Sequence, residues 1–359
     1  MSPHKQQRRL NRKTVCWYLL GILMVHVGVS IAVERARPAL RDPYYTERVG
    51  RLIERCAEHP DRPLLLVLGS SRSRMGLDPE VVTRTDKSFL VYNFSELSAG
   101  PMLEQVFLRR LLAQGVRPEM VLLEVVPLQF ASGLGVTSEA TRLDQSRLTW
   151  DEMTTVAGSY RFRISAYVKW LKTHGLACVS KQPELHEALG IDTPRVPSSS
   201  TVGGDRYPYG FMPSHTLPED RRVAAIQDHL ARFGPQLKGS HLAAGPAHAL
   251  RDLIGLCRRE GLPFAVIYMP ECSGLRDLYP PEFLAEFDSL LADLRSEGDF
   301  ELIDARAWVP DEGFWDAHHL HIDGAPVFSA RFAQEAIPVL RRHLKSAGDQ
   351  KMKGSVAAR

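Results

Sequence analysis

Residues 63–74 read PLLLVLGSSRSR, and this stretch sets the fold class. Pro63–Leu68 is an unbroken apolar run, with none of the in–out alternation of a strand that has one wet face. Such a run suits a strand covered on both sides, as in a parallel sheet. Gly69-Ser70-Ser71 then ends the run with turn residues that also begin helices well. Further runs of the same kind follow at Phe89–Phe94, Met120–Val126, Phe264–Met269 and Phe300–Ile303. Helix-period segments separate them, near Leu103–Gln114, Pro246–Glu260, Glu282–Ser296 and Ala325–Lys345. Strands alternating with helices predict an α/β fold, a doubly wound (flavodoxin-like) parallel sheet of about five strands. In such sheets ligands bind beyond the carboxyl ends of the strands, so functional residues should directly follow the apolar runs.

The whole chain of 359 residues fits this reading: 44% is hydrophobic, 24% charged and 8% aromatic. That composition excludes extended disorder, a collagen-like repeat and a polytopic membrane bundle. The length allows one large domain or two modest ones, at about 100–200 residues each. The formal net charge of +3 hides an asymmetry. Lys5, Arg8, Arg9, Arg12 and Lys13 lie within the first 33 residues, which contain no acid. The remainder holds slightly more acid than base, so the body of the protein is not a basic nucleic-acid binder.

Thr14–Val33 contains no charged residue and is long enough to cross a bilayer, about 30 Å at about 1.5 Å per residue. Trp17 and Tyr18 stand where interfacial rings are favoured, and the basic flank predicts an N-terminus held inside. Everything after residue 33 is then exported. The competing reading is a cleaved signal peptide, for which Ser30-Ile31-Ala32 offers a small-x-small site. The apolar segment exceeds the usual signal core of about 7–15 residues, which favours an anchor. Export permits disulfides. Cys56, Cys178, Cys257 and Cys272 are then expected to form one or two bridges or to be buried.

The predicted organisation is a basic cytoplasmic segment (1–13), an anchor (14–33), a linking helix (34–61), an α/β domain (62–128 and 246–345) and a disordered tail (346–359). Residues 129–245 break the alternation and read as a helical insertion over the crevice. This stretch carries amphipathic pieces at Tyr160–Lys172 and Glu219–Phe233 and a Pro/Ser/Gly-rich run at Thr193–Gly210. Its Trp150 and Tyr207-Pro208-Tyr209-Gly210-Phe211 serve either as core or as platforms for sugar rings.

Two strand-end loops carry the candidate chemistry. The Gly69-Ser70-Ser71 turn can raise a hydroxyl at the top of the sheet, with turn amides aimed at a developing oxyanion. Near the other end, Phe314-Trp315-Asp316-Ala317-His318-His319-Leu320-His321-Ile322-Asp323-Gly324-Ala325 precedes the last helix. Asp316 and His319 are three apart. In one helical turn that spacing lets the carboxylate hold one imidazole nitrogen and leaves the other for the Ser71 proton. A metal reading uses His319 and His321 with Asp316 or Asp323. Arg72 and Arg74 are either solvated surface charges or a grip on an anionic sugar.

Gly69-Ser70-Ser71 together with Asp316-x-x-His319 resembles the SGNH/GDSL hydrolase superfamily. The resemblance is nearest to its membrane-anchored, SGNH-like members associated with O-acylation of exported polysaccharides, and it covers about residues 62–128 and 262–345. It implies Ser71 as nucleophile, His319 as base and Asp316 as the acid that orients His319, with no cofactor and no metal. It also implies an acylated glycan as substrate and a multi-span membrane acyltransferase as partner. Three departures stand out. Ser70 replaces the usual Asp of the first block. Ser98 or Gly100 must supply the second-block amide. The third block, Leu122-Leu123-Glu124-Val125-Val126-Pro127, has no Asn, which leaves Asn93 as the stand-in oxyanion donor beside the Ser71 and Gly100 amides. Glu124 cannot donate to an oxyanion unless protonated. The expected function is therefore an extracytoplasmic serine esterase or O-acyltransferase. The alternative is a non-catalytic glycan-binding or scaffold protein that retains the fold.

Overall fold

The computed structural model describes residues 3–36, 41–132, 139, 147–159, 167–168, 170–172, 207–214, 216–298 and 300–357. Most of the Pro/Ser/Gly-rich run, much of the Tyr160–Lys172 piece and Cys178 lie outside the described residues. The chain forms two compact units. One comprises Met1–Glu47, Asp144–Ala157 and Arg161–Val202; the other comprises Arg48–Leu143, Gly158–Tyr160 and Gly203–Arg359.

The first unit contains helix α1 (Pro3–Ala36), whose segment Lys13–Ile31 is long and apolar enough to cross a membrane. A signal sequence meets the same criterion. Helix α2 (Pro43–Glu58) occupies the predicted linking segment and belongs to the second unit from Arg48 onward.

The second unit is built on five parallel strands: β1 (Leu64–Leu68), β2 (Leu90–Asn93), β3 (Met120–Glu124), β4 (Phe264–Tyr268) and β5 (Glu301–Asp304). Their order is β2-β1-β3-β4-β5, the flavodoxin-like arrangement expected from the sequence. Between the strands run α3 (Ser71–Gly76), α4 (Pro79–Thr85), α5 (Pro101–Ala113), α6 (Pro127–Phe130), α7 (Trp150–Ser159, in the first unit), α8 (Glu219–Leu237), α9 (Ala244–Arg259), α10 (Ser273–Leu278) and α11 (Pro281–Ser296). Every residue of β1 to β4 is buried, which is why these strands read as solid apolar runs. Burying one such Leu or Val side chain contributes about 1.5–3 kcal/mol.

The order in which strands are added reverses between β1 and β3, which pair in parallel through Leu65↔Met120 to Leu68↔Leu123. At that switch point the loop after β1 lies beside the last residue of β3, Glu124. The outer edge of β2 is covered within the same unit. Asn93 N donates to Tyr209 O at 2.9 Å, and Gly210 (φ 83°) sits so close to Asn93 O that a Cβ would collide with it.

The C-terminus differs from the expectation of a disordered tail. After α12 (Gly324–Arg331) and a π turn (Phe332–Ala336), helix α13 runs from Ile337 to Ala357. The π turn falls just before Pro338, whose missing N–H would otherwise break the regular ladder. Beyond it, Ala, Lys, Gln and Met favour helix strongly enough to carry Gly348 and Gly354.

Candidate active site

Ser71 is the first residue of α3, three positions after β1 ends. Ser70 caps that helix, its hydroxyl accepting from Arg72 N at 3.2 Å. Ser71 Oγ lies 2.7 Å from His319 Nε2, across 248 positions of sequence. His319 Nδ1 lies 2.7 Å from Asp316 Oδ2. An ionised carboxylate only accepts, so Nδ1 carries the imidazole proton and the Nε2 lone pair faces the serine hydroxyl.

The segment holding Asp316 and His319 is not the helical turn expected from their spacing. It is a loop closed by the Phe314↔Leu320 bridge and by His321 N donating to Gly313 O at 2.8 Å. The i,i+3 spacing works because Asp316 Oδ1 accepts from the His318 and His319 amides at 2.9 and 2.7 Å, folding the backbone around the carboxylate. The Trp315 ring stacks on His319, 5.5 Å between centroids and 12° from parallel. Burial alone pushes the fully buried Asp316 carboxyl upward. His318, His319 and their hydrogen bonds overcome that and hold it below the usual carboxylate range.

Glu124 has a role the sequence did not reveal. Its Oε2 accepts from Ser70 N at 2.7 Å, Ser73 N at 3.2 Å and Ser73 Oγ at 2.5 Å, while Oε1 accepts from Ser70 Oγ at 2.9 Å. Four donors thus converge on one buried carboxylate, and Ser71 is fixed between the two serines it grips. Gly69 makes this approach possible, since a Cβ there would collide with Glu124. Neither Ser70 nor Glu124 is placed to donate to an oxyanion; together they set the turn.

Several expected site residues are committed elsewhere. Asn93 is buried, and its amide nitrogen donates to Ser73 O and Leu77 O, both at 2.8 Å, which removes it as an oxyanion donor. Gly100 N donates to Glu139 Oε1 at 2.8 Å; that carboxylate also takes Leu103 N and so caps α5. The Ser71 amide makes no hydrogen bond among the described residues, so of the three expected donors it alone keeps its N–H for an oxyanion. Arg72 is neither a surface charge nor a substrate grip. Only 3% exposed, it pairs with Glu271 at 3.1 Å and donates to Met269 O and Pro270 O at 2.9 Å each. It ties α3, the helix that begins with Ser71, to the end of β4. Arg74 pairs with Glu96 at 3.1 Å, on the same oxygen that Arg48 takes at 2.9 Å.

The histidine cluster also differs from the metal reading of the sequence. Both nitrogens of His319 belong to the Ser71–Asp316 relay. His321 Nε2 accepts from Leu217 N at 3.2 Å, and its Nδ1 faces Asp323 Oδ2 at 3.2 Å. His229 of α8 comes close instead, with Nδ1 3.4 Å from Asp316 Oδ2, and His318 Nδ1 lies 3.6 Å from Oδ1. Burial pushes the pKa of both rings down, far down for His318, which favours their neutral forms. The stretch that carries α8 is fastened to the loops that hold Ser71 and His319. Met212 N donates to Arg74 O at 2.9 Å, and Ser214 Oγ donates to Leu320 O at 2.5 Å.

Of the cysteines expected to bridge or be buried, Cys56, Cys257 and Cys272 are free thiols, the latter two buried. Burial, with Glu104 nearby, pushes Cys257 up to about 12, which makes it a poor nucleophile.

Residues 32–148 match a protein family of unknown function, DUF1574. The matched stretch contains Ser71, Asn93, Gly100 and Glu124 and ends before Asp316 and His319. None of the curated proteins matches the chain.

Proposed function

We propose that this chain is a membrane-anchored, extracytoplasmic serine esterase or O-acyltransferase that acts on an acylated glycan through an acyl-Ser71 intermediate. The observation that carries the reading is the continuous relay from Ser71 Oγ through the His319 ring to Asp316, with both links at 2.7 Å. The apolar helix α1 with its basic flank supports the anchor and an outward-facing body. The SGNH resemblance supports the substrate class and an acyl-donating membrane partner.

The relay performs the chemistry in two halves. His319 Nε2 takes the Ser71 proton as Oγ attacks the ester carbonyl, and the Ser71 amide meets the oxyanion. His319 then gives that proton to the departing alcohol, leaving acyl-Ser71. In the second half His319 deprotonates water, giving hydrolysis, or a glycan hydroxyl, giving transfer. Asp316 stays ionised throughout and stabilises the imidazolium. Asn93 and Gly100 are committed elsewhere, which leaves one of the three expected oxyanion donors among the described residues, and one donor is worth about 10²–10³ in rate. Turnover is therefore expected to be slow. The same commitment of Asn93 and Gly100 favours a second reading, a non-catalytic glycan-binding protein that has kept the fold.

Rapid quenching of the protein with p-nitrophenyl acetate, followed by peptide mass analysis, separates the two readings. The esterase reading requires an acetyl group on Ser71 that decays to water or is passed to an added glycan. An unmodified Ser71 at every time point would leave the binding protein.

A further inference from the structure

We propose that His229, His318 and Asp316 form a binding site for a zinc-class divalent cation, and that its occupation suppresses the chemistry of Ser71. The second half rests on the serine reading above; the first does not. One imidazole nitrogen of His229, one of His318 and a carboxylate oxygen of Asp316 all lie within 4.8 Å of one another. In a tetrahedral zinc site, with bonds of about 2.0–2.1 Å, neighbouring ligand atoms stand about 3.3–3.4 Å apart. His229 Nδ1 lies 3.4 Å from Asp316 Oδ2, the oxygen with a lone pair to spare, while His318 Nδ1 lies 3.6 Å from Oδ1 of the same carboxylate. With every pair of ligand atoms inside 4.8 Å, none stands more than about 1.5 Å beyond the spacing an ion requires.

The donors are free for that purpose. Neither Nδ1 makes a hydrogen bond among the described residues, although both atoms are buried. Asp316 has about four lone-pair directions. The His318 amide, the His319 amide and His319 Nδ1 use three of them, and the fourth remains on the carboxylate that His229 approaches. The rings are oriented before any ion arrives. His229 stacks on Phe233, 5.7 Å between centroids and 22° from parallel, while His318 lies 5.5 Å from both rings. Arg222 holds α8 in place by donating to the carbonyl oxygens of Glu312 and Phe314. Two imidazoles and one carboxylate select zinc-class ions over Mg²⁺ or Ca²⁺, which need several oxygens. Three protein ligands leave a fourth position for water.

Suppression follows because the ion and the general base share one carboxylate. An ion that draws Asp316 Oδ2 toward His229 takes it from His319 Nδ1, now 2.7 Å away, and the ring facing Ser71 loses the partner that orients it.

The test uses the full-length protein in detergent, titrated with zinc chloride by calorimetry, with magnesium chloride as control. Wild type and Ser71→Ala should each bind one zinc and no magnesium. His229→Gln and His318→Gln should each weaken binding at least about tenfold. The visible absorption of bound Co²⁺ in wild type reports tetrahedral nitrogen and oxygen ligation without relying on a variant that might misfold. Zinc saturation should slow fluorophosphonate labelling of Ser71 at least about tenfold. Absence of one-to-one zinc binding, equal binding of magnesium, or full affinity in both histidine variants overturns the site. One-to-one binding with an unchanged labelling rate overturns the suppression alone. A protein that binds zinc but never labels at Ser71 keeps the site and removes its regulatory role together with the serine reading.

Discussion

Replacing Asp316 by asparagine tests the relay atom by atom. Asp316 Oδ1 accepts two backbone amides, at 2.9 and 2.7 Å, and only an oxygen can do that. The carbonyl oxygen of the new side-chain amide must therefore stay at that position, which turns its NH₂ toward His319 Nδ1. Facing a donor, Nδ1 becomes the acceptor and the ring proton moves to Nε2, where it points at Ser71 Oγ. The base then has no lone pair for the serine proton. The wrong tautomer in a serine triad costs about 10⁴-fold in rate, or about 5 kcal/mol. Stability should change less, by about 1–3 kcal/mol, because both backbone bonds survive but no longer end on a charged group. The assay pairs the rate of fluorophosphonate labelling with the thermal midpoint of wild type and D316N. A folded variant that labels within about tenfold of wild type would refute the assigned tautomer, and the relay with it.

Arg72→Met should leave Glu271 buried beside Tyr279 without its cation and cost about 3–5 kcal/mol, read by denaturant unfolding. Gly69→Ala should displace Glu124 from the serine turn, lowering stability by about 1–3 kcal/mol and slowing Ser71 labelling. Glu104, fully buried with one oxygen unpartnered, has its pKa raised well above the usual value by burial and then by Glu124 and Glu139. A carboxyl whose folded pKa exceeds its unfolded one favours the fold at low pH, and that stability is lost as pH rises through the folded value. Glu104→Gln should remove this loss, so a stability–pH series should find the variant gaining on wild type above about pH 4.3. Asp316 acts in the opposite sense. Its lowered pKa supports the fold above about pH 3.9, and the support fades as pH falls further.

The sheet was legible in the sequence because β1 to β4 are buried on both faces and so appear as uninterrupted apolar runs. Ser71, Asp316 and His319 were legible because strand-end position and i,i+3 spacing are local properties. The supporting residues were not. Glu124 reads as the polar end of a strand, and its grip on Ser70 and Ser73 depends on β1 and β3 being neighbours. Arg72 looks like a surface charge until the loop after β4 closes over it. His229 reaches Asp316 from a helix 87 positions upstream, a distance no spacing rule covers. Asn93 and Gly100 were plausible donors by type and place, but the backbone atoms and the carboxylate that claim their N–H groups come from other elements.

The most direct measurement of the central claim is to treat the intact protein with a fluorophosphonate and locate the adduct by peptide mass analysis. Ser71 should be the single phosphonylated residue in the wild type, with no adduct in His319→Ala or Ser71→Ala. An adduct on another residue, or equal modification of Ser71 with and without His319, would contradict it.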